Sequence, residues 1–557
     1  MQNDSTKCTT EHGRYSSLLL ASDITNLTLL FFVLTAGLRL PNEVLLSIFD
    51  VFHPKEMGHV DYRKTIGVLV QVCMLFKNML QPSLFREIIF SPHTVTHSGR
   101  QEWLRLVQAD DTRATELAAL VEVCVFVGRE PNVWQASSPR AELDIPALRT
   151  FACQLTWFPN IRRLKMKQTR ISPDVLRHLA QWPRLTDVKL KSLRGPMSRD
   201  DQVPQYNGIR FVSHWTTLRF VTSYAEDFDE NAASHVLRQV QPSILQLSTF
   251  SFAKYPSVVA AAGSGLRELI LHVDVGPKYA PTVASELCNT LEHLPLLRRL
   301  CIHMDLLDRG EQNRPRPLAR DALPHLEHLC CPHWVAMDWG LVKGRPLRSI
   351  ELITRCSMQP PRSPYTPGEA LPIFQMLNES AVGITHLLFP FVEEEVLLAG
   401  PFPESLTSLV LEPHREISEP EGLKASIPEW LRIHTNRIPA QVQYICIFGE
   451  KRGSFAHGSD DWKRRIFRWH LDAQREIVLS LSQALPGVRV FGFFSGFVKW
   501  YRCDNPMGTW CPRLTAKPQE MTGHILDVWS TMARVALRRQ EGRERERVDS
   551  VETWGWD

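Results

Sequence analysis

The chain has 557 residues, of which 44% are hydrophobic and 22% are charged, as is normal for a globular protein that can bury several cores. Its formal net charge is only +4, so no global basic field indicates a nucleic-acid partner. The twelve cysteines follow no repeating framework, and several, such as Cys73, Cys124 and Cys446, sit within apolar runs. We therefore expect reduced thiols in the cytoplasm or nucleus rather than a secreted disulfide scaffold.

Residues 1–38 form a separate N-terminal segment in the predicted domain organisation. Residues 18–38 are nearly apolar but carry Asp23 and Asn26, and their cleanest run, 27–38, is too short to span a bilayer. No basic region precedes the run, as a signal peptide would require. A membrane anchor, a helix packed beside the next module, a disordered stretch and a gene-model error stay open. We expect no membrane partner.

Two apolar stripes at helical spacing follow within residues 39–90. The first stripe contains Val44, Leu45, Ile48, Phe49 and Phe52, and the second contains Ile66, Leu69, Val72, Cys73, Phe76 and Leu80. Pro41 suits the first turn of a helix, where its missing N–H costs no hydrogen bond. Two short helices cannot bury all this surface between themselves, and leftover apolar surface usually marks a partner site. A helical hairpin that caps the next domain is the alternative.

This segment resembles an F-box, in a form similar to that of fungal F-box proteins. The resemblance covers the run Leu40-Pro41-Asn42-Glu43-Val44-Leu45, the pairs Ile48-Phe49 and Val72-Cys73, the bulky Phe76 and the closing Leu84-Phe85-Arg86. The F-box is a helical module that docks onto the Skp adaptor of a cullin-type ubiquitin ligase. The resemblance therefore implies a substrate receptor without covalent chemistry of its own. The adaptor-binding residues that it implies are Leu40, Pro41, Glu43, Val44, Leu45, Ile48, Phe49, Leu69, Val72, Cys73 and Phe76.

Residues 91–145 are predicted to be a connector, and residues 146–450 a repeat array. Within the connector, 101–127 reads as one or two helices, or as a helix followed by a strand, and 128–146 reads as a linker rich in Pro, Ser and charge. The array is marked by repeated copies of the pattern apolar-x-x-apolar-x-apolar. Copies that recur every few tens of residues indicate a solenoid. Its full copies are Ile161-Leu164-Met166, Leu185-Val188-Leu190, Leu266-Leu269-Leu271, Leu297-Leu300-Ile302, Leu326-Leu329-Cys331, Leu347-Ile350-Leu352, Ile384-Leu387-Phe389, Leu406-Leu409-Leu411 and Val442-Ile445-Ile447. Weaker copies are Leu218-Val221 and Ile244-Leu247.

The array is similar to leucine-rich repeats, which implies an α/β fold of short strands and return helices. The last two apolar positions of each copy would point into the core, and the first would pack at the preceding turn. Return helices are predicted over 174–181, 284–294 and 371–376. The Asn that usually follows the motif is absent from the first four full copies, where Thr169, Leu193, Asp274 and Asp305 stand instead. We therefore expect an irregular solenoid, with a non-repetitive α/β domain as the alternative.

The C-terminal part is predicted to close the solenoid. Residues 451–537 would form a capping region, with a helix over 462–485, a buried strand or pair of strands over 488–500 and an amphipathic helix over 519–537. Residues 538–557 are dominated by alternating charge and read as a tail.

Few residues suggest chemistry. The sequence contains no P-loop, dinucleotide-binding glycine motif, His-Glu-x-x-His or Gly-x-Ser-x-Gly, so we expect neither catalysis nor a cofactor. Metal-capable atoms cluster at His325, His328, Cys330, Cys331 and His333, but their spacing matches no standard zinc pattern. Leu329 and Cys331 also fall on the predicted inward side of a strand. We therefore expect no metal site.

The predicted strands nevertheless suggest where a partner would bind. Residues between the inward positions line the other face of the sheet, which would be basic near its N-terminal end and more apolar further along. The substrate-binding residues predicted in this way are Lys165, Lys167, Lys189 and Lys191. An acidic or phosphorylated segment would fit them, although lysines that merely solvate the face are the simpler interpretation.

Three functions from different classes remain open at this stage. The first is the substrate-recognition subunit of a Skp–cullin–F-box ubiquitin ligase, with the adaptor, the cullin complex and a protein substrate as partners. The second is a leucine-rich-repeat scaffold without a ligase role. The third is an enzyme with an unrecognised site. The F-box resemblance favours the first, and the absence of catalytic motifs disfavours the third.

Overall fold

The computed structural model describes residues 66–67, 74–90, 104–127, 154–167, 173–191, 209–212, 214–221, 230–249, 255–275, 281–306, 316–353, 367–391, 394–413, 431–447, 471–493, 498–502 and 510–514. The chain divides into two compact units, Met1–Leu80 and Gln81–Asp557. The N-terminal segment, most of the F-box-like residues, the predicted helix over 519–537 and the tail lie outside the described residues. Phe76 lies in a described helix.

The strands of the second unit are short and follow one another at irregular intervals. In chain order they are β1 (Glu87–Phe90), β2 (Val123–Val127), β3 (Arg163–Lys167), β4 (Asp187–Lys191), β5 (Thr217–Val221), β6 (Ile244–Thr249), β7 (Glu268–Val275), β8 (Arg299–Leu306), β9 (His328–Cys331), β10 (Ser349–Leu352), β11 (His386–Phe391), β12 (Ser408–Pro413), β13 (Tyr444–Ile447), β14 (Val490–Phe493), β15 (Val498–Arg502) and β16 (Trp510–Leu514).

One described helix precedes the first strand, and others occupy many of the connections between the strands. They are α1 (Met74–Phe85), α2 (Thr112–Ala119), α3 (Pro173–Ala180), α4 (Glu230–Val240), α5 (Tyr255–Ala262), α6 (Pro281–Glu292), α7 (His333–Asp338), α8 (Pro367–Leu377) and α9 (Leu471–Ala484). Shorter 3₁₀ helices span Leu155–Trp157, Glu394–Leu398 and Thr435–Arg437. Within the described ranges, none of the helices has both the length and the apolar character needed to cross a membrane.

All sixteen described strands form one sheet in which spatial order equals chain order. Each strand from β1 to β13 runs parallel to the next, whereas β14 pairs antiparallel with β15 and β15 pairs antiparallel with β16. A parallel sheet that adds one strand per chain segment, with connections packed on the same side, is a leucine-rich-repeat-like solenoid. The predicted α/β solenoid is therefore confirmed for this unit.

A ladder of backbone hydrogen bonds runs along the starts of the parallel strands. One carbonyl just before each strand commonly accepts two N–H groups from the next repeat. The carbonyl of Ser243, for example, accepts from the N–H groups of Arg267 at 2.8 Å and Glu268 at 3.0 Å, and that of Arg267 accepts from Arg298 and Arg299 at 2.8 and 3.0 Å. These bonds need no particular side chain, so they tolerate a sequence in which the repeats have diverged.

Hydroxyl side chains reinforce this ladder in several repeats. The Oγ1 atoms of Thr186 and Thr216 donate to the carbonyl of the equivalent residue one repeat earlier, each at 3.2 Å. Ser243, Thr385 and Thr407 do the same at 3.1, 3.1 and 2.9 Å. Because these bonds link successive turns, they tie neighbouring repeats together at the starts of their strands.

The core lies on one face of the sheet, where the predicted inward positions meet the helices. In the full copies every described inward side chain is buried, and the first residue of each copy is buried at the preceding turn. Leu164 and Met166 of β3, for instance, belong to the same buried cluster as Leu176 of α3. At about 25 cal/mol per Å² of apolar surface removed from water, this stacking supplies the main favourable term in folding.

The two weaker copies were assigned to the wrong residues. In β5 the inward pair is Leu218 and Phe220, both buried, whereas Val221 points to the other face. In β6 the inward pair is Leu245 and Leu247, and Ile244 is only half-buried. Strand side chains alternate with period two, so Val221 beside Phe220 and Ile244 beside Leu245 lie on the face opposite the core.

The described elements extend beyond several predicted boundaries. Strands β1 and β2 belong to the sheet although they precede residue 146, and β2 pairs with β3 along its full length. The predicted return helices correspond to α3, α6 and α8, while α4, α5 and α7 were not predicted. After the last parallel strand, β15 and β16 continue the sheet as antiparallel strands, as the prediction of a strand or pair of strands over 488–500 partly foresaw.

Arg345 is a charged residue fully enclosed in this unit, with 1% of its surface exposed. Its guanidinium donates only to backbone carbonyls: Nε to Ala322 at 3.1 Å, Nη2 to Ala319 at 2.9 Å, and Nη1 to Lys343 at 3.2 Å and to Gly340. The five donors of an arginine suit such a set, because one guanidinium can bond several carbonyls of the surrounding loops at once.

We predict that Arg345→Met destabilises the protein by more than about 3 kcal/mol, because several buried carbonyls then lose a charged donor. The measurement is the urea midpoint of unfolding followed by circular dichroism. The control is Arg348→Met, which changes an exposed arginine three residues away and should shift stability by no more than about 0.5 kcal/mol. Equal midpoints for the two variants would contradict this structural role.

Candidate functional site

The face of the sheet opposite the helices carries the candidate site. We call it the open face: it consists of the strand side chains that alternate with the inward ones. Because the strands are in register, equivalent outward residues form rows across the sheet. One row contains Lys165, Lys189, Arg219, Gln246, Ile270, Cys301, Cys330, Glu351, Leu388, Val410 and Cys446.

The first zone of the open face is basic, and we call it the basic strip. Strands β3, β4 and β5 place Lys165, Lys189 and Arg219 in register, about 4.8 Å apart from strand to strand. Lys167 and Lys191 occupy the next position of the same register on β3 and β4, where their backbones pair with each other. The predicted substrate-binding lysines thus lie on two adjacent strands, and Arg219 extends the strip to a third.

Two carboxylates partly balance this charge. Asp187 Oδ2 lies 3.8 Å from Arg163 Nε and 3.9 Å from Arg219 Nη2, and Lys165 Nζ lies 3.8 Å from Glu87 Oε2. Among the described side chains on the outward positions of β1 and β3–β5, the basic Arg163, Lys165, Lys189 and Arg219 outnumber the acidic Glu87 and Asp187. The strip therefore keeps a positive excess, with lysine and arginine side chains partly accessible to solvent.

The second zone contains cysteine and histidine side chains. Cys301 and Cys330 are register partners on β8 and β9, and they are 5% and 6% exposed. Cys301 Sγ lies 3.1 Å from Nε2 of His303, two residues along the same strand. The His303 ring stacks on that of His272 in β7, with centroids 4.3 Å apart and planes 3° from parallel. We call Cys301, His303 and Cys330 the cysteine–histidine cluster.

The protonation of this zone reflects its burial. Burial, together with the neighbouring His303, lowers the pKa of His272 to about 4, so its imidazole is neutral at physiological pH. A hydrogen bond with Cys301, followed by burial, raises the pKa of the Cys330 thiol. Burial thus favours the uncharged forms of the His272 imidazole and the Cys330 thiol.

The cluster differs from the residues singled out by sequence proximity. Cys330 points to the open face, whereas Cys331 points into the core and is fully buried. His333 begins α7. Cys330 and Cys331 therefore face opposite sides of the sheet and cannot bind one ion together, and Cys330 instead meets Cys301 from the preceding strand.

The third zone is apolar, and we call it the apolar patch. Leu388, Val410 and Cys446 lie on β11, β12 and β13 and contact one another, with Tyr444 packed against them. Burial, followed by the neighbouring Cys446, raises the pKa of the Tyr444 hydroxyl. The Lys499 ammonium lies 5.4 Å from the centre of the Tyr444 ring. The predicted change from a basic to a more apolar face is thus visible in the order of the zones.

The chain matches no protein-family model, and no curated protein shows significant similarity to it. Solved structures that resemble it include the Rad7–Elc1 complex of yeast, with 12% identity, a TM-score of 0.29, and coverage of 71% of this chain and 94% of that one. The TLR13–ssRNA13 complex shows 11% identity, a TM-score of 0.29, and coverage of 67% and 53%. The Toll–Spatzle complex of Drosophila shows 11%, 0.28, and coverage of 66% and 44%. Similarity at this level carries no functional argument, and the leucine-rich-repeat-like fold of this chain rests on its own strand order.

We predict that Asp187→Asn strengthens retention on a polyanionic matrix, because it removes the carboxylate between Arg163 and Arg219. Lys189→Gln should weaken retention, and both variants should keep their stability within about 1 kcal/mol, as is usual for exposed ion pairs. The measurement is the salt concentration at elution. The matched control for Asp187→Asn is Glu286→Gln, which removes the negative charge of an exposed residue on α6. If Asp187→Asn and Glu286→Gln elute together, the strip does not determine polyanion binding.

Proposed function

We propose that this chain is the substrate-recognition subunit of a Skp–cullin–F-box ubiquitin ligase. Residues 39–90 bind the adaptor, and the open face of the repeat sheet binds a protein substrate. The subunit positions the substrate and performs no covalent step. The observation that carries the substrate half of this proposal is the row of in-register basic side chains on β3, β4 and β5.

The basic strip favours an acidic or phosphorylated segment as its ligand. Lys165, Lys189 and Arg219 are brought together by register alone, and their charges add because neighbouring strands are only about 4.8 Å apart. Arginine and lysine donate charge-assisted hydrogen bonds to carboxylate and phosphate oxygens. The strip would contribute to the rate of encounter and to selectivity more than to raw affinity.

The apolar patch supplies a second kind of contact on the same face. Leu388 and Val410 are each 6% exposed, so they form a closely packed surface rather than protruding side chains. Tyr444 packs against this patch and adds an aromatic ring with a polar hydroxyl. Tyrosine is enriched at protein interfaces. A substrate that contacts both zones would be selected by charge at one end and by shape at the other.

The F-box resemblance supports the adaptor half of the proposal. It rests on the residues from Leu40 to Phe49 and on the second stripe, which includes Val72, Cys73 and Phe76. The second candidate function is a repeat scaffold that binds partners through the open face without belonging to a ligase. Purification of the tagged full-length chain from cells under proteasome inhibition separates the two, because only a ligase subunit brings down the adaptor and cullin.

We predict that Leu40→Ala combined with Pro41→Ala abolishes adaptor pull-down by the full-length chain. Large apolar residues at an interface centre each cost over about 1 kcal/mol when truncated, so the pair should weaken binding by more than tenfold. Asn42→Ala, at a position that the motif leaves variable, is the matched control. Undiminished adaptor binding by the double variant, with unchanged circular dichroism, would refute the ligase role.

We predict that Lys165→Glu combined with Lys189→Glu reduces substrate capture and removes its salt sensitivity. The two substitutions reverse charge on adjacent strands, and adaptor binding should stay unchanged. The measurement is quantitative mass spectrometry of proteins captured under proteasome inhibition, at two salt concentrations. Arg177→Glu with Arg238→Glu changes the net charge by the same amount on exposed positions of α3 and α4 and serves as the control. Identical capture by both double variants would show that the strip is only a solvated surface.

A further inference from the structure

We infer that the cysteine–histidine cluster of Cys301, His303 and Cys330 is a binding site for Zn²⁺. The inference concerns a property of the repeat sheet and does not depend on the proposed ligase role. It rests on the relative positions of three ligand atoms, on the burial of the two thiols and on the chemistry of the donors.

The three side chains converge because of strand register. Cys301 and Cys330 are paired residues on adjacent parallel strands, and His303 lies two positions beyond Cys301, on the same face of β8. Their ligand atoms all lie within 4.8 Å of one another. In a tetrahedral zinc site, with bonds of about 2.3 Å to sulfur and 2.0 Å to nitrogen, sulfur and nitrogen ligands sit about 3.5 Å apart. The 3.1 Å between Cys301 Sγ and His303 Nε2 is therefore close to the spacing that a bound ion requires.

The donor set selects the kind of metal. Two thiolate sulfurs and one imidazole nitrogen suit a borderline-soft cation, whereas Ca²⁺ and Mg²⁺ require oxygen ligands. Zn²⁺ bound to two thiolates and a neutral imidazole carries no net charge. Such a complex fits a site where both thiols are nearly buried and where Ile270 and Ile353 pack around them.

The neighbouring strands hold and flank the site. The ring of His272 stacks on His303, and its Nε2 lies 3.5 Å from Nε2 of Gln246, so the plane of His303 is supported from the β6–β7 side. Glu351 is the register partner of Cys330 on β10 and adds negative potential on the other side. Supporting groups of this kind orient metal ligands.

Three protein ligands leave the fourth position of a tetrahedral ion to water or to another molecule. His303 is half-buried and lies on the open face, so this position is directed towards the surface on which the basic strip and the apolar patch also lie. A histidine, cysteine or carboxylate side chain of a bound partner could occupy it.

The test uses the reduced full-length protein, loaded with Zn²⁺ and dialysed against a weak chelator, followed by elemental analysis. The chain has twelve cysteines and twenty histidines, so the informative quantity is a difference between variants. Cys301→Ser and Cys330→Ser should each retain about one equivalent less than the native protein. Co²⁺ substitution should give thiolate charge-transfer absorption that both variants lose.

Two further variants guard against a loss caused by misfolding. Cys446→Ser alters a buried thiol on the same face, in the apolar patch, and should retain as much Zn²⁺ as the native protein. His303→Ala changes a half-buried side chain and should lower zinc affinity at least tenfold. The loss of a ligand should cost at least as much affinity as the loss of a group that orients a ligand. Added Zn²⁺ should raise the thermal midpoint of the native protein and of Cys446→Ser but not of the site variants. Equal zinc retention by native protein, Cys301→Ser and Cys330→Ser, or retention by none of them, would overturn the inference.

Discussion

Parallel register, fixed by the hydrogen-bond ladder at the start of each strand, is the constraint on which the rest of this molecule depends. The carbonyls of Ser243 and Arg267 each accept two N–H groups from the following repeat, and the same arrangement recurs along the sheet. Since the bonds are made by backbone, the repeats could lose the asparagine typical of this fold and vary in length without losing alignment. Every row of outward side chains, whether basic, thiol-containing or apolar, is a consequence of that alignment.

The sequence predicts the fold wherever burial alone determines the pattern. An inward pair can be predicted at Leu269 and Leu271, and again at Leu409 and Leu411, because apolar residues two positions apart can share one face of a strand. The same reasoning failed in β5, where Val221 resembles a core residue but the inward partner of Leu218 is Phe220. A β-branched residue next to an aromatic one is ambiguous, and only pairing with β4 and β6 resolves the register. The role of Arg345 could not be predicted, because the loops that surround it bring its acceptors together.

The residues of the candidate site also divide into those that the sequence predicts and those that it does not. Lys165 and Lys189 could be aligned from sequence because their repeats are regular, while Arg219 was missed along with the register of its strand. Cys301 and Cys330 each lie between two inward residues of their copies, yet the long connection from β8 to β9 separates them in the sequence and hides their pairing. Proximity along the chain instead drew attention to Cys330 and Cys331, which point to opposite faces. The common register of all strand copies reveals the cluster, whereas the spacing of metal ligands along the chain does not.

The spacing of the three zones limits what can bind across them. The basic strip is centred on β4, the cysteine–histidine cluster on β8 and the apolar patch on β12, so four strand spacings, about 19 Å, separate each zone from the next. An extended peptide that rises about 3.3 Å per residue needs roughly a dozen residues to pass from the strip to the patch. A short motif can therefore use only one zone, whereas an extended segment or a folded domain can reach all three. Selectivity for a partner would then come from the order of its acidic, metal-coordinating and apolar groups, since the sheet presents the matching groups in a fixed sequence.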